Sequence, residues 1–132
     1  MNGAVAVAAG SALGAVLRFA AGTWVVEGTA VGGFPWATLW INASGAFAIG
    51  VLAVWMGPGG RWREASSARL FLVTGLCGGY TTFSVFSLET LELLSGGAAS
   101  VAAAYVGGTL VASLLAVWAG YVLALHCCRA GC

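Results

Sequence analysis

Charge is what this sequence has least of. Only 7% of its 132 residues are Asp, Glu, Lys or Arg, while 61% are hydrophobic and the mean hydropathy is +0.98. A soluble domain of this size needs a polar shell, so the scarcity excludes water as the main solvent and points to lipid. The formal net charge of +1 and the pI near 7.7 offer no basic stripe for nucleic acid. Catalytic signatures are missing as well: there is no Walker loop, HExxH, GxSxG elbow or dinucleotide fingerprint, and the single histidine, His126, sits near the C-terminal end. An enzyme is therefore not expected. Cys77, Cys127, Cys128 and Cys132 lack paired CxxC spacing, and the last three read as an incidental or lipid-modified tail in preference to a metal site. A cleavable signal peptide is not expected either, because Met1 to Val7 carries no charge and its apolar pattern runs on past Arg18.

What is present in quantity is apolar chain. Crossing the hydrocarbon takes ~20 largely apolar residues, and residues 3–26, 35–56, 70–94 and 98–125 are four such stretches within one membrane unit, 1–132. The reading is an all-α membrane protein of four transmembrane helices. Pro35 opens the second helix where its missing N–H does no harm, and Trp36 and Trp55 mark that helix's two headgroup levels. Gly57 to Ala68 is the main solvated loop. With the termini it collects Arg61, Arg63, Arg69 and Arg129, against Glu27, Glu89 and Glu92 on the other side, a bias that predicts cytoplasmic termini. Gly10 and Gly14, at GxxxG spacing, predict close helix packing.

The third helix breaks the rules of its own span. Gly75 to Thr90 reads GLCGGYTTFSVFSLET, with glycines followed by Thr81, Thr82, Ser84 and Ser87 at membrane depth. Two readings fit. The helix breaks and its freed carbonyls need a partner such as a cation, or Gly78 and Gly79 permit a close contact while the hydroxyls bond back to the preceding turn. Phe83 and Phe86 share a face. They are packing residues, or they turn electropositive ring edges toward an anion. Asn42, a mid-span amide with Thr38 one turn before it, is an interhelical hydrogen bond or a donor to a dehydrating anion. Tyr105, Thr109 and Ser113 form a hydroxyl stripe on the last helix, and Arg18, inside the first, either snorkels to the headgroups or faces a water-filled vestibule.

GAVLRF around Arg18, TLWINASGAF around Asn42, GLCGGYTTFSVFS in the third helix and the Tyr105–Thr109–Ser113 stripe together resemble the Fluc (CrcB) family of small fluoride channels. The likeness covers almost the whole chain. Two positions depart from it: Thr109 stands where serine is common, and Val85 where threonine is often found. The resemblance implies an antiparallel dimer, with a second copy or a homologous subunit, embedded in the lipid of the cell membrane. It implies two fluoride pathways and a central sodium ion that is structural and not transported. By the same resemblance, Gly78 and Thr81 match the positions whose main-chain carbonyls hold the sodium, and Phe83 and Phe86 match an aromatic box along the pore. Asn42 matches the anion donor with Thr38 close by, Tyr105, Thr109 and Ser113 match the polar track, and Arg18 matches a vestibule arginine. The implied role is passive export of fluoride, which enters as the neutral acid and is trapped as the anion. The alternatives are a small multidrug-type transporter, disfavoured by the lack of an acidic residue within the first two spans, and a non-transporting membrane assembly subunit.

Overall fold

The computed structural model describes residues 2–28, 33–57, 60 and 66–129, with the backbone alone at 25–28 and 66. The side chain of Glu27, the loop charges Arg61, Arg63 and Glu64, and Cys132 lie outside the described residues. Helix α1 runs Gly3–Gly28 and α2 runs Trp36–Trp55. The third span has two halves. The first, α3, starts at Ser66, widens into π-helical turns over Leu70–Cys77 and ends in the turn Gly78–Tyr80. The second, α4, is Phe83–Ser95, and α5 is Ala99–Arg129. Four segments are long and apolar enough to cross a membrane, and the described residues contain no strand.

The expected bounds shift in three places. The third span becomes helical at Ser66, four residues before the expected start at 70, and the last continues to Arg129, beyond the expected end at 125. At ~1.5 Å per residue, the 31 residues of α5 are about 46 Å long. That exceeds the ~30 Å hydrocarbon, so the helix tilts or projects its His126–Arg129 end into the headgroup layer. Helix α1 reaches Gly28, past the expected end at 26. Apolar side chains face outward in number: Phe19 is 76% exposed and Leu114 67% exposed, a surface suited to lipid.

Two seams hold the helices together. A Cβ on Gly10 would land on the Phe71 carbonyl of α3, and one on Gly14 on the Leu76 carbonyl. From the other side, a Cβ on Gly79 would strike the Ser11 carbonyl. The second seam joins α2 to α5, where Gly50 meets the Val117 carbonyl and Gly120 meets the Phe47 carbonyl. Close approach of this kind replaces the hydrophobic drive that lipid cannot supply. The expected Gly10/Gly14 packing thus has a defined partner, α3, and it fixes where the third span breaks relative to α1.

Candidate functional site

The third span breaks at Thr81 and Thr82, both extended, at φ −74°, ψ 156° and φ −146°, ψ 120°. Glycine at 78 and 79 lowers the cost of leaving the helix there. Side chains then take over backbone groups that the helix would have used. Asn42 Nδ2 donates to the Thr82 carbonyl at 3.1 Å, and the Thr82 N–H donates to Asn42 Oδ1 at 2.8 Å. The Thr82 hydroxyl accepts from the Val85 N–H at 3.2 Å and so caps α4. Thr81 Oγ1 bonds back to the Cys77 carbonyl at 3.0 Å.

These exchanges free two carbonyls. In an unbroken helix the Thr82 N–H would bond to Gly78 and the Val85 N–H to Thr81. Both N–H groups point elsewhere, to Asn42 and to the Thr82 hydroxyl. Of the two neighbouring glycines, Gly79 is a packing residue against Ser11, whereas a Cβ on Gly78 would meet nothing within 4 Å. Close contact is thus the role of Gly79, and Gly78 takes no part in it.

Beside the break lies a cleft of about 290 Å³, lined among others by Asn42, Phe83, Phe86, Thr109 and Ser113. With Thr81 at the break, six of the expected residues meet here, the other five from α2, α4 and α5. The Phe83 and Phe86 ring centroids are 5.8 Å apart. Phe83 is 79% exposed, so the cleft is open on that side. The Thr109 hydroxyl is buried and has no hydrogen-bond partner among the described residues. Asn42 carries two amide hydrogens, and only one is engaged among the described residues.

Thr38 and Arg18 fall elsewhere. They line a second cleft of about 630 Å³, together with Thr23, Val85 and Glu89. Thr82 lines both clefts and so stands in the wall between them. Tyr105 lines neither. Its buried ring packs 5.1 Å from Phe86 and 5.6 Å edge-on from Phe34, and its hydroxyl donates to Glu89 Oε2 at 2.6 Å. Thr38 Oγ1 donates to Glu89 Oε1 at 3.0 Å. Arg18 makes no ion pair among the described residues.

Glu89 corrects the charge count. Counted above with the loop charges of one membrane face, it is held inside the span by Thr38 and Tyr105. Its position three residues after Phe86 puts it on the aromatic face, a signal present in the sequence that hydropathy obscures. Thr82 joins the site as the cap of α4, and a threonine just ahead of a helix start is the signal for it in the sequence.

A four-span membrane fold with a broken third span flanked by two clefts defines a polytopic membrane protein. Residues 5–121 match the family described as "CrcB-like protein, Camphor Resistance (CrcB)", and the chain belongs to that family. It is 47% identical over 118 residues to the Bradyrhizobium diazoefficiens protein named "Fluoride-specific ion channel FluC 1", covering 89% of this chain and 81% of that one. A Methylocella silvestris "Fluoride-specific ion channel FluC" is 48% identical, covering 88% of each chain. A third, from Rhizobium meliloti, is 43% identical over 123 residues, or 93% of this chain and 96% of that one.

Proposed function

We propose that the protein is a fluoride channel that lets the anion leave the cytoplasm passively. The observation that carries this reading is the smaller cleft. It offers an unpaired buried hydroxyl at Thr109, an unengaged amide hydrogen at Asn42 and two phenyl rings, with no cationic side chain among its lining. Neutral donors and ring edges stabilise a dehydrated small anion without the strong Coulomb trap of a buried ammonium or guanidinium. Two of the hydroxyls, Thr109 and Ser113, come from the stripe on α5, and Tyr105 extends it past Phe86 toward Glu89. Arg18, in the second cleft, concentrates anions at the entrance. The relatives named as fluoride-specific channels support the choice of fluoride over other halides.

A dimer belongs to this reading, with the open side at Phe83, 79% exposed in one subunit, available to a partner. The partner in this reading is an antiparallel second copy or a homologous subunit. A structural sodium fits the break. The carbonyls of Gly78 and Thr81 have lost their helical donors, and a hard cation takes oxygen ligands. Sodium supplies positive charge that neutralises those carbonyl dipoles. Asn42 and the Thr82 cap hold the chain extended so that they stay available. Exchange of sodium for N-methylglucamine throughout purification is then expected to weaken the dimer on size exclusion, and an unchanged elution profile contradicts the site.

The arginine bias favours insertion with cytoplasmic termini, which pairs this chain with a homologue of opposite bias. A single cysteine placed in the 57–68 loop of a variant without native cysteines decides this. Labelling from one side only supports fixed insertion, and equal labelling from both sides supports a homodimer of mixed orientation. The functional reading itself is tested by efflux from proteoliposomes of the purified chain. Fluoride release well above chloride release is expected, while equal release or none overturns it.

A further inference from the structure

We propose that the principal donors to the anion are the main-chain N–H groups of Phe83 and Ser84, at the first turn of α4. This rests on the fluoride-channel reading and names the chemistry of its binding site. The first N–H groups of any helix lack an intrahelical acceptor and carry the positive end of the helix dipole. In α4 the Thr82 side chain satisfies only one of them, Val85. The Thr82 N–H is taken by Asn42. Phe83 and Ser84 have no acceptor for their N–H groups among the described residues. They lie at membrane depth, where an unmet N–H is costly.

A second observation points to a ligand at the same place. Thr109 from α5 is 5% exposed, its hydroxyl is unpaired, and it lines the cleft together with Thr81, Thr82 and Phe83. The orphan amide of Phe83 and the orphan hydroxyl of Thr109 thus meet at one cleft from two helices, with the Ser84 amide next in the same turn of α4. An anion accepting from these donors satisfies all of them at once. Asn42 then has a positioning role. By gripping Thr82 through both its N–H and its carbonyl, it sets the direction in which α4 presents its first turn. A fixed main-chain donor pair favours a small anion of high charge density, since amides held in one helix turn cannot spread to follow a larger one.

The test replaces the Phe83 amide with an ester, by incorporating phenyllactate at position 83 of the full-length chain. The ring stays and the N–H is removed. Fluoride efflux from proteoliposomes is expected to fall about tenfold or more, the loss of one hydrogen bond to an anion. The corresponding ester at Leu91, in the same helix and outside the cleft, is expected to leave efflux unchanged. Wild-type rates in the position-83 ester overturn the proposal while leaving the channel reading intact. A wild-type chain that passes no fluoride removes both. If the ester chain does not assemble, Phe83→Pro and Phe83→Ala pose the same question. Both lose the ring, only proline lacks the N–H, and the extended Thr82 is compatible with a following proline. Slower flux in Phe83→Pro than in Phe83→Ala supports the amide, and equal flux overturns it.

Discussion

Glycine does opposite things in the two halves of this molecule. Along the seam between α1 and α3, Gly10, Gly14 and Gly79 let one backbone press against the carbonyls of another. Near the break, one residue from that seam, Gly78 is still helical at φ −64°, ψ −36° and meets no neighbour, and what it contributes is a carbonyl left without its helical donor. The difference teaches that small residues in a membrane helix have two separable uses. One closes distance between helices. The other exposes main-chain groups that only a side chain or a ligand then satisfies. Nearness in sequence does not merge them.

The sharpest way to break this comparison is to add a side chain on each side of it. Gly14→Leu drives carbons into the Leu76 carbonyl, a backbone atom that cannot move aside, and is expected to cost about 3 kcal/mol or more. The readout is loss of monodisperse protein on size exclusion. Gly78→Ala meets no atom and is expected to purify folded. A folded Gly14→Leu chain removes the seam from the account.

Next in size is Asn42→Leu, which leaves the N–H of Thr82 unpaired at depth and takes from its carbonyl the second donor beside the first bond of α4. A loss of about 2–3 kcal/mol is expected, and Asn42→Asp, which keeps the acceptor, loses less. Thermal unfolding in detergent and deuterium exchange at the Thr82 amide measure it. Equal stability of Asn42→Leu and wild type contradicts the grip on Thr82. The smallest expected effect belongs to the cap. Thr82→Val keeps the shape and loses the hydroxyl that accepts from Val85, for about 1 kcal/mol, whereas Thr82→Ser keeps it. The two variants unfolding at the same temperature sinks the cap assignment.

Much of this fold is legible in the residues themselves. Hydropathy locates four spans, since few charges interrupt the apolar runs, and the run from Gly75 to Ser87 marks where the third cannot stay regular. The spacing of Gly10 and Gly14 announces a close neighbour without saying which. What stays hidden depends on partners distant in sequence. Asn42 is visible as a costly amide, but its target, Thr82, is 40 residues away. Glu89 reads as a charge near a helix end until Thr38 and Tyr105, 51 and 16 residues away, are seen to hold it. The π-helical turns of Leu70–Cys77 have no signature in the apolar pattern. The candidate site divides the same way. Phe83, Phe86, Asn42, Thr109 and Ser113 share one cleft, while Arg18 and Thr38 share another.

The claim most open to direct test is that the anion passes the face of α4 carrying Phe86, beside the break. Fluoride efflux from vesicles reconstituted at matched protein density, with wild type and Phe86→Ile measured side by side, tests it. The ring sits between Phe83 and Tyr105, at 5.8 and 5.1 Å, and isoleucine fills much of its volume without an electropositive edge. The account predicts that Phe86→Ile elutes like wild type on size exclusion and releases fluoride at least about tenfold more slowly. Wild-type release from a correctly assembled Phe86→Ile channel contradicts it.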